Sequence, residues 1–234
     1  MHLRSDKPDR SARFARFVNG LADDDTLIVV GDLYDFWFVS RQQRLWKQPC
    51  EAEASLLEFQ RGGGQLRILS GNHDTWLGPF IEKTFGVPFE HEPIQLEFRT
   101  SASSESPECI RLHIRHGHLL SRRAGLKTFM ESRLFLKLFS RVPSWLARKC
   151  DHKLQARNVA HFERQNLEQL EVFRKCIRLA PDPVDVYLFG HIHDRIEEQV
   201  ADARLFVLGD WKEAGSYLKV DAEEIVFVKR VGIQ

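Results

Sequence analysis

The chain has 234 residues, of which 43% are hydrophobic and 29% charged, and its formal net charge is +1. This composition is typical of a globular protein with one large core, and it argues against a nucleic-acid-binding protein, which would carry a strongly basic face. The sequence has no Cys-x-x-Cys pair, no segment that resembles a secretory signal and no apolar run near the ~20 residues of a membrane span. We therefore expect a cytoplasmic protein with reduced thiols.

The N-terminal pattern predicts a helix followed by a strand. Ser5 or Asp6 can cap a helix with Pro8 in its first turn, and apolar residues then recur at helical spacing. Residues 26–30 form a continuous apolar run, which is typical of a central strand covered on both faces. Asp32 follows this run and is expected at the carboxyl end of the strand.

Three further apolar runs also precede polar blocks. They are 66–69 before Gly71-Asn72-His73-Asp74, 110–114 before His116-Gly117-His118, and 184–189 before Gly190-His191-Ile192-His193. Short apolar runs that alternate with helical patterns predict an α/β fold. Because open α/β sheets place their sites at the carboxyl ends of strands, we expect the polar blocks to meet in one crevice.

A helical stretch rich in bulky apolar and basic residues covers about 119–165, and Pro143 interrupts it. This segment is the candidate for an inserted lid, and the alternative is a helical hairpin that faces the core. Strand patterns return around 205–208, 216–220 and 224–228. The predicted organisation is a single domain over 1–234 with a helical insertion.

The residue types in the blocks indicate a centre with two metals. Two divalent cations about 4 Å apart need a bridging carboxylate, with imidazole nitrogens and oxygen donors completing each shell. Asp32 is the natural bridge. Such donors suit manganese, iron or zinc, and a water held between the ions would attack phosphorus.

The four blocks, in their order, resemble the signature of the calcineurin-like metallophosphoesterases. The resemblance implies a four-layer α/β/β/α fold in which a β-sandwich is flanked by helices. It implies six metal ligands: His2, Asp32 and His193 at one ion, and Asp32, Asn72, His116 and His191 at the other. It further implies that His73 stabilises the phosphoryl charge or protonates the leaving group, and that Asp35 and Asp74 orient histidines.

The first block of that family is Asp-x-His at the end of a leading strand, whereas this sequence opens Met1-His2-Leu3. We interpret His2 as the histidine of this block and expect the DNA upstream of Met1 to encode an apolar strand that ends in Asp. The other interpretation is a lost metal ligand. In the form given, the chain is expected to be less stable and to bind metal weakly.

A narrower resemblance is to the UDP-2,3-diacylglucosamine pyrophosphatases of lipid A synthesis. It rests on residues 31–37 (GDLYDFW), on the insertion after His116, and on residues 208–211 (LGDW) leading to Ser216-Tyr217. It implies cleavage of a lipid-linked sugar nucleotide into a lipid sugar 1-phosphate and UMP, with manganese as the metal and with peripheral contact to the inner face of the plasma membrane. The candidate substrate-binding residues are His118, Arg122, Arg123, Phe135, Phe139, Arg148, Lys149, Lys153 and Arg157.

Two positions depart from that narrower family, whose best-known members have Arg after the Asn ligand and Asp after the His-Gly pair. Here these positions hold His73 and His118. An alternative is therefore a phosphoesterase of another nucleotide or phosphodiester. A second alternative is a non-catalytic scaffold, which the retained polar ligands argue against. The oligomeric state is left open.

Overall fold

The computed structural model describes residues 1–3, 8–34, 50–100, 108–120, 132, 162–211 and 215–228. The helices in these ranges are α1 (Pro8–Val18), α2 (Glu51–Gly62), α3 (Gly78–Phe85) and α4 (Phe162–Arg178), with 3₁₀ turns at Thr75–Leu77 and His118–Leu120. The strands are β1 (Thr26–Val29), β2 (Gln65–Leu69), β3 (Phe89–Glu90), β4 (Ile94–Thr100), β5 (Glu108–Arg115), β6 (Val186–Phe189), β7 (Arg195–Val200), β8 (Ala203–Leu208), β9 (Tyr217–Val220) and β10 (Ile225–Val228).

The first sheet has three parallel strands in the order β1-β2-β3. Val29 of β1 pairs with Ile68 of β2, so both strands end at the same edge of the sheet. The N-terminal residues join that edge, because Leu3 forms a parallel bridge with Tyr34. This bridge brings His2 beside the residues that follow β1.

The second sheet has five strands in the order β4-β5-β6-β8-β7. Its central strands β5, β6 and β8 are parallel, while β4 and β7 pair antiparallel at the two edges. Strands β9 and β10 form a separate antiparallel hairpin. The carboxyl ends of β5 and β6 therefore lie side by side, as those of β1 and β2 do in the first sheet.

Successive side chains of a strand point to opposite faces of its sheet and so belong to different apolar clusters. In β6, Val186 and Leu188 face a cluster that also contains Val30 and Leu69 from the first sheet, while Phe189 faces α4. The ring of Phe189 stacks on Phe173 of α4 with a centroid distance of 4.1 Å. Helices α1, α2 and α3 cover the other face of the first sheet through the apolar cluster that contains Phe14, Leu56, Ile81, Val29 and Ile68. The fold therefore consists of two sheets that pack face to face, with helices on both outer sides.

The prediction of an α/β fold with sheets flanked by helices is confirmed, and each predicted strand is present with bounds that differ by at most a few residues. The predicted cap residues Ser5 and Asp6 lie outside the described residues, as does most of the predicted insertion at 119–165. Among the helices that the structure describes, none is long and apolar enough to cross a membrane.

Candidate metal centre

Asp32 stands in a tight turn directly after β1. Both Gly31 (φ 74°) and Asp32 (φ 51°) have left-handed backbone conformations, which turn the chain sharply at the end of the strand. The carbonyl oxygen of Asp32 accepts the backbone N–H of His2 at 2.8 Å, and that of Leu33 accepts the N–H of Leu3 at 2.9 Å. Asp32 and His2 are thus held together by the backbone, and both are buried.

The carboxylate of Asp32 lies among three histidines. Its Oδ1 accepts the backbone N–H of His73 at 2.9 Å, while its Oδ2 lies 3.3 Å from Nε2 of His116 and 3.6 Å from Nε2 of His2. Burial opposes ionisation of Asp32, but the charges of His116, His73 and His2 outweigh it and hold the pKa of this carboxyl well below its usual range. The centre therefore keeps an anionic oxygen donor in a buried position.

A second group of donors meets at the amide oxygen of Asn72. This oxygen lies 3.2 Å from Nε2 of His116 and 2.7 Å from Nδ1 of His191. Asn72 follows β2 in the first sheet, whereas His116 and His191 follow β5 and β6 in the second. The two sheets thus contribute side chains to one cluster, as we expected from the polar blocks that follow the strands.

The ring of His116 has a fixed orientation, because its Nδ1 lies 2.8 Å from the carbonyl oxygen of Val30. A carbonyl oxygen only accepts, so Nδ1 carries a proton, and Nε2 is the nitrogen that is able to bind a metal once it is deprotonated. Histidines that bind metals are commonly held by a backbone carbonyl in this way.

The remaining histidines border the first group. The ring centroids of His73 and His193 lie 4.6 and 5.0 Å from that of His2. His193 also contacts a carboxylate, because its Nδ1 lies 3.4 Å from Oδ2 of Asp210. His118 is buried, with its ring centroid 5.2 Å from that of His116 and 6.3 Å from that of His191. It therefore lies beside the second donor group.

The backbone is close-packed around these side chains. A Cβ at Gly71 would lie 2.0 Å from Oδ1 of Asp32, and one at Gly31 would lie 2.5 Å from Nδ1 of His116. A Cβ at Gly190 would lie 2.8 Å from the carbonyl oxygen of Val30. Each of these distances is shorter than van der Waals contact allows, so the three glycines are required for the loops to approach.

Asp74 connects the loops after β1 and β2. One carboxylate oxygen accepts the backbone N–H of Gly71 at 2.8 Å, and the other accepts that of Tyr34 at 3.4 Å. Burial, together with the nearby charge of Asp32, raises the pKa of Asp74 to about 6. These hydrogen bonds hold the backbone beside the proposed ligands, and the predicted role of Asp74 in orienting a histidine stays a prediction.

The donor set fits a divalent metal centre. One nitrogen or oxygen atom from each of His2, Asp32 and His73 lies within 4.8 Å of the others. The second group offers the amide oxygen of Asn72 with one nitrogen each from His116 and His191. Imidazole, carboxylate and amide donors suit a first-row divalent ion. Such ions, when bound, supply a Lewis acid and an activated water.

Several predicted site residues lie outside the described part of the chain. They are Asp35, Arg122, Arg123, Phe135, Phe139, Arg148, Lys149, Lys153 and Arg157. Two residues near the centre had no predicted role. Asp210 contacts His193, and Gln169 of α4 donates from Nε2 to the carbonyl oxygen of Gly117 at 3.2 Å. Asp210 lies in the LGDW segment on which the narrower resemblance rests, and this segment is the sequence feature from which a role for Asp210 was open to prediction.

The profile of the calcineurin-like phosphoesterase family matches residues 1–195, so the chain belongs to this family. Membership defines a hydrolase that acts on phosphoric ester or anhydride bonds and uses divalent metal ions.

The chain is similar to two proteins named UDP-2,3-diacylglucosamine hydrolase. That of Aeromonas hydrophila is 28% identical, covering 93% of this chain and 90% of the relative, and that of Pseudomonas entomophila is 24% identical, covering 95% and 93%. A solved structure of an archaeal phosphodiesterase covers 98% of this chain and 96% of its own, with 16% identity and a TM-score of 0.43.

Proposed function

We propose that this phosphoesterase cleaves the diphosphate of UDP-2,3-diacylglucosamine, giving the lipid sugar 1-phosphate and UMP. The observation that carries the chemistry is the convergence of donors from both sheets around Asp32, within reach of His73. The similarity to proteins named for this substrate extends over 95% of the chain and supports the lipid-linked sugar nucleotide.

The proposed ligands are His2, Asp32 and His193 for one ion, and Asp32, Asn72, His116 and His191 for the other. Two ions, manganese in the first place with iron or zinc as alternatives, would supply the Lewis acid and the activated water. Hydrolysis forms one P–O bond to water, breaks one P–O bond of the diphosphate and returns a proton to the leaving oxygen. We assign delivery of that proton to His73, whose backbone N–H is held by Asp32 at 2.9 Å.

The lipid part of the proposal concerns residues 119–165, which are rich in both bulky apolar and basic side chains. Phe135 and Phe139 are proposed to contact the acyl chains. The basic residues Arg122, Arg123, Arg148, Lys149, Lys153 and Arg157 are proposed to contact phosphates of the substrate or of lipid headgroups, with the protein acting on the inner face of the plasma membrane. His118, beside the second donor group, is proposed to contact the substrate.

A second candidate is a soluble nucleotide or phosphodiester. His73 and His118 favour it, because the best-known lipid A enzymes carry Arg and Asp at these positions. The experiment compares UMP release from UDP-2,3-diacylglucosamine with hydrolysis of simple diesters by Mn²⁺-loaded protein. Turnover of the lipid substrate no faster than that of the diesters would exclude the lipid assignment.

Two variants separate the metal chemistry from lipid recognition. Asp32→Asn removes the anionic bridge without changing its size, so both activities and metal binding are expected to be lost, while Asp202→Asn, in an exposed turn, is the matched control. Replacing Phe135 and Phe139 by Ser is expected to weaken use of the lipid substrate and to spare a small chromogenic diester. Equal loss on both substrates would favour a core-facing helix over a lid.

A further inference from the structure

We infer that Asp210 is a positioning residue for one metal of the centre: it orients His193 and thereby sets the affinity for the ion that His193 binds, and not for its neighbour. This inference rests on the proposed assignment of ligands. The contact that suggests it is the 3.4 Å distance between Nδ1 of His193 and Oδ2 of Asp210. The two side chains are 18% and 21% exposed, so the pair is largely shielded from water.

The pairing of β7 with β8 brings the segments that carry these two residues together. Strands β7 and β8 are antiparallel, and Arg195 pairs with Leu208 at one end of the ladder. His193 and Asp210 each lie two residues beyond that pair, outside the strands. Gly209 turns the chain there with a left-handed φ of 72°, and a Cβ on it would lie 3.3 Å from the carbonyl oxygen of His193. The backbone thus delivers the carboxylate to the imidazole.

The position of Asp210 is also fixed from its other neighbour, Trp211. The indole is 7% exposed, and its centroid lies 5.3 Å from that of Phe14 and 5.2 Å from that of Phe17 on α1. The carbonyl oxygen of Trp211 accepts a hydrogen bond from Nη1 of Arg13 at 3.0 Å. Asp210 therefore lies between a strand end and a residue anchored to a helix, and little freedom remains for its backbone.

A carboxylate beside one imidazole nitrogen has a defined effect on metal binding. It favours the tautomer with the proton on Nδ1, so the lone pair of Nε2 is the one that binds a metal. It also prevents the ring from rotating between orientations. Removal of such a partner typically weakens metal affinity by about 10- to 100-fold.

The effect is expected at one ion only. Asn72, His116 and His191 form the second donor group through contacts at Asn72 Oδ1, and His116 is oriented by the carbonyl oxygen of Val30. The Asp210 contact is to His193, which is not part of that group. Apart from the bridging Asp32, the histidines of the two ions are therefore oriented by different partners, and Asp210 contributes to the ion assigned to His2, Asp32 and His193.

The test measures Mn²⁺ binding by the metal-free full-length protein, as ions bound per chain and as the affinity of each. At saturating Mn²⁺ we expect the wild type to bind two ions, and in Asp210→Asn we expect one ion to keep its affinity and the other to bind about 10- to 100-fold more weakly. Excess Mn²⁺ should restore the second ion and with it the activity. Asp210→Glu, which keeps a carboxylate, should recover part of the affinity.

The matched control is Asp194→Asn, which removes the same charge from the residue next to His193. Asp194 is exposed, and its Oδ2 accepts from Nδ2 of Asn166 at 2.8 Å, so we expect two ions with unchanged affinity. Two ions of wild-type affinity in Asp210→Asn would overturn the inference while leaving the proposed centre intact. Equal weakening of both ions, or failure of both Asp210 variants to fold, would also overturn it. A wild type that binds less than one ion per chain would refute the proposed centre itself.

Discussion

Nδ1 of His116 lies 2.8 Å from the carbonyl oxygen of Val30, so a single hydrogen bond determines which nitrogen of this ring can bind a metal. The same bond satisfies a backbone oxygen at the buried end of β1. His116 is therefore the partner of the Val30 carbonyl oxygen as well as a proposed ligand of the metal centre.

His116→Ala is expected to affect both functions. Turnover should fall by at least about 100-fold because a ligand is lost. The free energy of unfolding of the metal-free protein should fall by about 1–3 kcal/mol, because a buried carbonyl oxygen loses its donor. Steady-state kinetics and urea unfolding measure the two effects. His91→Ala, at an exposed position, is the control and should change neither. An unchanged stability of His116→Ala would mean that the bond to Val30 contributes nothing.

Gly71→Ala tests the close approach of the two loops. A Cβ there would lie 2.0 Å from Oδ1 and 2.4 Å from the backbone nitrogen of Asp32, so one loop must move and the carboxylate must leave its position. We expect loss of metal binding and destabilisation by about 3 kcal/mol, at the upper end for overpacked sites. Metal analysis and thermal unfolding measure these changes.

The matched control for Gly71→Ala is Gly86→Ala, after α3. Gly86 has φ 69°, and a Cβ added there would meet no atom within 4 Å, so this substitution adds backbone strain without a collision. Its cost should be about 1–2 kcal/mol, with normal metal binding. If Gly71→Ala kept its metal as well as Gly86→Ala does, the loops would be less closely packed than the structure indicates.

Glu53 of α2 is expected to make stability depend on pH. Burial raises the pKa of its carboxyl, and the hydroxyl of Tyr34, which donates to Oε1 at 2.7 Å, offsets only part of this rise. The folded state therefore binds this proton more tightly than the unfolded chain does. The resulting stabilisation is complete below the ordinary pKa of 4.5 and is lost as the pH rises through the raised value.

Glu53→Gln removes this titration. In the presence of a chelator, the unfolding free energy of the wild type relative to the variant should decrease as the pH rises above the ordinary pKa of 4.5. Denaturant unfolding at several pH values gives the difference. Glu51→Gln, on the exposed side of the same helix, is the control for the loss of a carboxylate. A difference that increases with pH would contradict the prediction.

Gln169 links α4 to the loop that bears His116. Its Nε2 donates to the carbonyl oxygen of Gly117 at 3.2 Å, and the side chain is buried. Gln169→Leu should cost about 1–3 kcal/mol, because the carbonyl oxygen loses its donor inside the protein. Gln199→Leu is the control, since Gln199 makes the same kind of bond to Ala201 at an exposed position. Thermal unfolding measures both variants, and a larger loss of stability in Gln199→Leu than in Gln169→Leu would disprove this role of Gln169.

The sequence was sufficient to predict the strands that carry the ligands. Strand β6 lies inside the second sheet and all four of its residues are buried, so its apolar run is continuous. Strand β1 was predicted to be central and covered on both faces, but it is the end strand of the described first sheet and only Val29 of it is buried. Each of the two strands ends at a polar block. The edge strand β7 was not predicted. In β7 only Val200 is buried, since an edge strand with one solvated face carries charges in place of a continuous apolar run. Helix α2 was also missed, although Ala52, Leu56 and Phe59 recur at helical spacing.

The residues that contact the proposed ligands and their loops were harder to predict than the proposed ligands themselves. Asp210 reaches His193 through the pairing of β7 with β8, and Gln169 reaches Gly117 through the packing of α4 on the second sheet. Both contacts depend on tertiary structure and leave no local pattern. Asp74 was predicted within the site, but its bonds to two backbone N–H groups depend on how the loops after β1 and β2 come together.

The proposed ligands come from opposite sides of a layer of apolar side chains. His2, Asp32 and Asn72 belong to the first sheet, whereas His116, His191 and His193 belong to the second. Between the sheets lie Val30, Leu69, Ile114 and Leu188. The distance across the centre is therefore set by the thickness of the hydrocarbon between the sheets. A methylene group added or removed in that layer changes the spacing of the ligands, so catalytic rate becomes a sensitive measure of interior volume.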